Sequence, residues 1–295
     1  CSRYITRYTL MSLHIDIRAV LQKKAPNTHV PECLIRYLER ITHVKQMNAF
    51  LAKRGHERDY DFIRYVLSEE LDCSASVTGI ENIPTDNQPV IFVSNHPLGG
   101  LDGMIIAQMI HESRKTQVKN STPHPLKVIV NDLLMYVEPL SNLWAPVSKV
   151  GKLSREQAQL QQQLWQSDYD VLTFPAGACS RLQRIDGKWK VQDLEWQKNF
   201  IQRAKEYKRN IVPIYFEGQN SKFFYTLAYL RKLLHIPFNI EMLYLVDEMY
   251  GAKGKHFKVH ILSPIPYTTF DDSKTPKQWA QYVKSIIYGT NYTTR

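Results

Sequence analysis

Cysteine is scarce: Cys1, Cys33, Cys73 and Cys179 are scattered over 295 residues, with no C-x-x-C pair. That scatter excludes a disulfide framework and a zinc-cysteine site, and points to a reducing, cytoplasmic setting without a structural metal. No run of 18 or more apolar residues occurs, so no stretch reads as a transmembrane helix. Residues 1–22 carry Arg3, Arg7, His14, Asp16 and Arg18 and lack the apolar centre of a secretory leader. Met11 is a more natural start than Cys1, because the amphipathic pattern begins after it; residues 1–10 read as an upstream extension. Zinc-finger spacing, a helix-turn-helix signal and an RNP-type aromatic pattern are missing too, which removes the usual nucleic-acid modules. No repeat or low-complexity linker divides the chain. Asn120-Ser121-Thr122 and Asn291-Tyr292-Thr293 match glycosylation acceptors, which carry no meaning in a cytoplasmic protein.

What is present is an ordinary folding composition, 43% hydrophobic and 22% charged, with an unusual net charge of +10. Such a balance implies an anionic partner: nucleic acid, an anionic lipid surface or an acidic substrate. Residues 12–72 read as helical. Leu34, Leu38 and Ile41 form one stripe, Val44, Met47 and Leu51 a second, and Phe62, Ile63, Val66, Leu67 and Leu71 a third. From about residue 76 the period changes. Val90–Val93, Val128–Val130, Val171–Phe174, Ile211–Phe216 and Phe257–Leu262 are short apolar or β-branched runs bounded by turn residues, as buried strands are. Helical patterns fall between them: one from Leu101 to Met109, one after a capping-box sequence at Ser154, one over 193–208, and one opened by Thr275-Pro276. The expectation is an α/β fold, a mixed and largely parallel sheet flanked by helices. A small helical cap over 1–74 precedes an α/β domain over 75–295.

Three strand ends carry candidate chemistry. In Ser94-Asn95-His96-Pro97-Leu98-Gly99-Gly100-Leu101-Asp102, the five residues between His96 and Asp102 include Pro97, Gly99 and Gly100, which permit a fold-back. An imidazole meeting a carboxylate there would be a general base with its orienting partner. Taken singly, an Asp such as Asp102 before an amphipathic helix is more often an N-terminal cap than a catalyst. In Phe174-Pro175-Ala176-Gly177-Ala178-Cys179-Ser180-Arg181, backbone N–H groups and Arg181 form a potential anion site, while Cys179 reads as a small buried hydrophobe. The third end, after Val212-Pro213-Ile214, presents Glu217 and Asn220; with Lys198 these are weaker candidates. Ser221 suits a helix cap.

Asn95-His96-x5-Asp102, Phe174-Pro175-Ala176-Gly177 and Val212-Pro213-Ile214, in that order, resemble the glycerolipid acyltransferase superfamily, the lysophosphatidic acid acyltransferase-like enzymes. The resemblance is closer to the bacterial hemolysin-type branch, linked to aminolipid O-acylation. It covers roughly residues 75–270, and Ile261–Tyr267 resembles the family's last strand. It implies acyl transfer from acyl-CoA or acyl-carrier protein to an acceptor hydroxyl, with no bound cofactor and no covalent acyl-enzyme. His96 is then the general base and Asp102 its partner, and Asn95, Pro175, Gly177, Ser180, Arg181 and Pro213 are expected to contact substrate. Two departures stand out. The family's usual His-x4-Asp is one residue longer here, so the loop must bulge at Gly99-Gly100. The usual Phe-Pro-Glu-Gly-Thr-Arg-Ser has Ala176 in place of the carboxylate and Cys179 in place of the arginine. Losing both charges favours a lyso-aminolipid acceptor over a phosphate-bearing one; lysophosphatidic acid, and a non-catalytic lipid binder of the same fold, are the alternatives.

A lipid substrate also gives the positive charge a role. Phe223, Phe224, Leu227, Leu230, Leu233 and Leu234, with Lys222, Arg231 and Lys232, form an apolar, basic helix. It suits either the surface of an anionic membrane, on the inner face of the cytoplasmic membrane, or a position packed on the sheet.

Overall fold

The computed structural model describes residues 14–24, 30–86, 88–117, 124–130, 137–146 and 155–289. The expected extension at 1–10, Ser154 of the capping-box sequence and both glycosylation-type sequences lie outside them.

The N-terminal part is helical: α1 (Ile17–Lys24), α2 (Glu32–Ile41), α3 (Val44–Arg54) and α4 (Asp59–Tyr65), the last running into a π-type turn over Val66–Glu70. The stripe expected on α2 holds in part. Ile41 is buried and Leu38 half-buried, but Ile35 is the other buried residue, whereas Leu34 is exposed together with Tyr37, three residues on and on the same outer face. Phe50, Leu51, Phe62, Ile63 and Leu71 join the same hydrophobic cluster as the sheet, so α3 and α4 share its core.

After β1 (Ser74–Thr78) the chain alternates strands with helices: β2 (Ile91–Ser94), α5 (Gly100–Gln117), β3 (Leu126–Val130), β4 (Trp144–Pro146), α6 (Arg155–Gln166) and β5 (Asp170–Thr173). An antiparallel hairpin, β6 (Arg181–Ile185) and β7 (Lys188–Gln192), then stands apart from the main sheet. The chain continues through α7 (Asn199–Tyr207), β8 (Ile211–Glu217), α8 (Lys222–Leu233), a 3₁₀ turn at Ile240–Tyr244, α9 (Leu245–Gly251), β9 (His256–Ile261) and α10 (Pro276–Gly289). One seven-stranded sheet runs in the order β1-β9-β8-β2-β5-β3-β4, every neighbouring pair parallel except β8 with β9. This is the mixed, largely parallel α/β fold that the alternation of patterns implies.

Burial of both faces explains the continuous apolar strands. Phe92, Leu172, Val212 and Ile214 point into a cluster filled by α3, α4 and α5. Ile91, Val93, Val171 and Ile211 point into a second one, filled by Trp165, Phe200, Ile201, Trp279, Val283 and Ile287 of α6, α7 and α10. Pro213 sits inside a central strand, where a missing N–H ordinarily costs a ladder bond. Here the pairing of β8 with the segment after β9 slips by one residue between Ile214↔Ile261 and Ile211↔Ile265, and the Pro213 carbonyl accepts from Leu262 N at 2.9 Å. The proline is accommodated at a bulge.

Polar groups fix the ends. Thr275 and Gln278 bond each other's backbone N–H reciprocally, and Ser221 accepts from Phe224 N. The fully buried Asp170 receives Arg114 from α5 at 2.9 Å and the Val90 N–H at 2.9 Å, tying α5 to the starts of β2 and β5. Among the described residues, no helix is long and apolar enough to cross a membrane.

Candidate active site

Strands β8, β2 and β5 lie side by side and parallel, so their C-terminal ends open at one edge of the sheet, where open α/β sheets bind ligands. All three sequence motifs therefore converge. Asn95 follows β2 and reaches across to β8: its Nδ2 donates to Phe216 O at 3.0 Å and its Oδ1 accepts from Phe216 N at 2.7 Å. Both ends of that amide stitch the strands together, so its contribution is to place the next residue, His96.

His96 is held from three sides. Its N–H donates to Asp193 Oδ1 at 3.1 Å, its carbonyl accepts from Ser180 N at 2.8 Å, and its ring stacks on Phe174 with centroids 4.2 Å apart. The chain then folds back and brings Asp102 Oδ1 to 3.2 Å from His96 Nδ1, with the carboxylate wholly buried and the imidazole 17% exposed. Asp102 also accepts from Leu98 N at 2.8 Å and from Gly103 N at 2.8 Å. Capping and orienting thus fall to one group, because the carboxylate that closes the loop at the start of α5 also faces the imidazole. A buried carboxylate with these donors meets the requirement that such a charge be hydrogen-bonded.

Of the two glycines expected to bend the loop, Gly99 takes φ +87°, whereas Gly100 is the first residue of α5. A Cβ on Gly99 would lie 3.1 Å from Cys179 Sγ and from Leu245 Cδ1; one on Gly100 would meet nothing within 4 Å. Gly99→Ala is therefore expected to cost roughly 1–3 kcal/mol, since a non-glycine residue is strained at that φ, and to lower transfer by displacing the loop that joins His96 to Asp102. Gly100→Ala should be neutral or slightly stabilising. Thermal unfolding and initial rates of the two variants check this, and equal effects at both positions would contradict it.

At the second motif, Gly177 (φ +64°) closes a turn through its N–H on Phe174 O at 3.0 Å, and the Pro175 carbonyl accepts from Gln197 N at 3.0 Å. Cys179 is buried, and that burial pushes its thiol up to about 12, which keeps it protonated and inert as a nucleophile. Ser180 Oγ donates to Asp193 Oδ1 at 2.6 Å. Arg181 is placed differently from a free anion ligand. Its guanidinium donates to Glu241 Oε1 at 2.8 Å and to Cys179 O at 2.8 Å, over the ring of Phe224. Glu241 is fully buried and takes Arg231 on its other oxygen at 3.0 Å. Arg181 is thus engaged within the fold, sharing one carboxylate with Arg231, and does not stand free as an anion ligand at the turn.

The weaker candidates are dispersed. Glu217 pairs with His260 at 3.0 Å and lies 3.8 Å from Lys258 on β9. Asn220 is buried; its N–H donates to Tyr225 OH at 3.0 Å, and among the described residues its Nδ2 has no hydrogen-bond partner. Lys198 is exposed just before α7. Pro213 is a buried strand residue opposite Val93, just before the last β2–β8 pair, Ser94 with Ile214.

Asp193 is not legible in the sequence. The stretch 193–198 reads as the start of a helix, but α7 begins only at Asn199. In the extended segment before it, the buried Asp193 collects His96 N, Ser180 Oγ and Trp196 Nε1, the last at 2.9 Å. Burial pushes its carboxyl above the usual range, against the opposing pull of the Ser180 and Trp196 donors. A lone aspartate in a polar run gives no periodic signal; only the tertiary fold brings it beneath His96.

Known proteins bear on the chemistry. A family model described as Acyltransferase matches residues 19–292. The chain is 42% identical to a lyso-glycine lipid O-acyltransferase of Bacteroides thetaiotaomicron, over 93% of this chain and 96% of that one. It is 40% identical to a protein of the same name from Phocaeicola vulgatus, over 93% and 94%. Among solved structures, the 1-acyl-sn-glycerophosphate acyltransferase PlsC of Thermotoga maritima matches with a TM-score of 0.44 and 19% identity, over 88% of this chain and 95% of that one. With a family model covering nearly the whole chain and relatives this similar along nearly their full length, the chain belongs to the acyltransferase family and is an acyltransferase.

Proposed function

We propose that this acyltransferase moves a fatty acyl chain from a thioester donor, acyl-CoA or acyl-carrier protein, to the hydroxyl of a lyso-aminolipid of the glycine class. The observation that carries the acceptor is the 42% identity, over 93% of the chain, to a lyso-glycine lipid O-acyltransferase. The second motif supports it: Ala176 stands where the superfamily's usual pattern has a carboxylate, and Arg181 is held by Glu241. A carboxylate head group carries less charge than a phosphate monoester and needs fewer cations to hold it.

In this reading His96 is the general base. Asp102 faces Nδ1 and holds the ring so that Nε2 takes the proton of the acceptor hydroxyl as its oxygen attacks the thioester carbonyl. The tetrahedral adduct collapses, the C–S bond breaks, and the imidazolium returns the proton to the leaving thiolate. The products are an ester and a free thiol, with no covalent enzyme intermediate. Both substrates are amphiphiles or large carriers, so the enzyme works as a peripheral protein at the inner face of the cytoplasmic membrane.

The test is a matched panel: an N-acyl-glycine bearing a 3-hydroxyacyl chain against lysophosphatidic acid, each with acyl-CoA and with acyl-carrier protein, following thiol release. At least tenfold higher kcat/KM for the glycine lipid is expected. Preference for lysophosphatidic acid would establish the alternative acceptor, and no transfer to either would leave the lipid-binder reading.

A further inference from the structure

Helix α8 buries Phe224, Tyr225 and Ala228 and turns its other side outward. That outer side belongs to a larger apolar face. Tyr229 meets Trp189 of β7 edge-to-face at 6.0 Å, and Phe223 meets Tyr244 of the following 3₁₀ turn at 5.0 Å. The hairpin, α8 and the segment 234–243 thus form one surface, on which Trp189, Leu234 and Phe238 are 56%, 66% and 76% exposed. Tyr229, Leu233 and Leu243 add to it. Isolated exposed apolar residues are normal; a contiguous group of this size marks an interaction site.

Charge identifies the occupant. Over 181–192 and 222–243 the exposed ionic groups are Arg184, Lys188, Lys190, Lys222 and Lys232, against one exposed carboxylate, Asp186; on the hairpin Arg184 pairs with Trp189 and shares its side, while Lys188 and Lys190 alternate to the other. Arg231, which reads from the sequence as a surface cation, is turned inward onto Glu241. Aromatic rings and leucines rimmed by long basic side chains match the interface of an anionic bilayer: the rings settle at head-group depth while the lysine stems reach the phosphates. Beneath this face, Cys179, Phe224 and Tyr225, with Val191, Met242 and Leu245, form a small apolar cluster. Cys179 and Leu245 are the side chains against which Gly99 packs. One layer of apolar side chains therefore separates the face from the His96–Asp102 loop.

We propose that the face built by the β6–β7 hairpin, α8 and residues 234–243 docks the enzyme on an anionic lipid bilayer, next to the catalytic loop. The proposal deepens the peripheral reading above and is independent of which lyso-lipid is acylated.

Vesicles of phosphatidylglycerol and phosphatidylcholine, with pure phosphatidylcholine as control, test it on the full chain. Co-sedimentation with the anionic vesicles should exceed that with the neutral ones at least tenfold and fall with added salt. Leu234→Glu with Phe238→Glu should lower anionic binding at least tenfold while leaving transfer in detergent micelles unchanged. Arg184→Glu with Lys222→Glu, both on the side of Trp189 and Tyr229, should weaken anionic binding and leave the weak neutral binding as it is. Trp189 is the tryptophan to watch, because Trp144, Trp165, Trp196 and Trp279 are all 7% exposed or less. Its emission should shift to the blue on vesicle addition, and the shift should vanish in Trp189→Phe. Wild-type protein left in the supernatant, or variants that bind undiminished, would overturn the proposal. So would a dimer that the Leu234/Phe238 change converts to monomer without altering vesicle binding, since a second copy would then cover the face. Vesicle binding without transfer to any lyso-lipid would sink the acyl-transfer reading and leave the docking face standing; transfer without vesicle binding would do the reverse.

Discussion

His96→Ala is expected to lower kcat/KM for acyl transfer by about 10²–10⁴-fold, the usual worth of a positioned general base, with little change in folding stability. The ring is partly exposed, and what anchors this residue in the fold is its backbone, on Asp193 and Ser180. Asp102→Asn should also impair transfer, because an amide nitrogen in place of either oxygen would face a donor: Leu98 N–H on one side, Gly103 N–H on the other. Unlike His96→Ala, it should also destabilise the protein, by about 1–3 kcal/mol for a buried backbone donor left unsatisfied. Initial rates and urea unfolding of the two variants separate the roles. If His96→Ala retained full transfer while thiol release still tracked ester formation, the base would have to be another residue.

The largest stability effect is expected at Glu241. Its two oxygens hold Arg181 at 2.8 Å and Arg231 at 3.0 Å with the carboxylate fully buried. Glu241→Ala leaves two largely buried guanidiniums without their shared counter-charge, where breaking a buried pair typically costs about 3–5 kcal/mol. The measurement is the denaturant midpoint; a loss under about 1 kcal/mol would mean that the pair is better hydrated than its burial indicates. Arg181→Ala discriminates between two roles. As a structural partner of Glu241 it should lose stability with KM for the acceptor unchanged at a permissive temperature. An anion ligand would instead raise KM and leave stability alone.

Some features are legible because they are local. Thr275 and Ser221 cap helices, and the buried strands from Ile91, Asp170, Ile211 and His256 stand where the apolar runs are, within a residue or so. Others are present but faint. Asp186-Gly187, both at positive φ, is a hairpin signal between two runs too polar to read as strands, and β6–β7 follows from it. Leu34, Leu38 and Ile41 suggest one stripe, yet a helix with several apolar positions leaves open which side meets the protein. Neighbours keep Ile41 buried and choose Ile35 over Leu34.

The sequence by itself determined the order of the five apolar strands and of the helical patterns between them, the α/β class, the family, and the presence of an imidazole and a carboxylate on one Gly-containing loop. These depend on short-range periodicity, turn chemistry and motif spacing. Only the tertiary structure decided whether that loop closes, with Gly99 at φ +87° and Asp102 arriving 3.2 Å from His96. It alone placed Asp193 beneath His96, 97 residues away along the chain, and set Arg181 against Glu241, 60 residues on. A charge buried deep enough to matter must find its partner wherever the packed chain supplies one, and sequence separation carries no record of that choice.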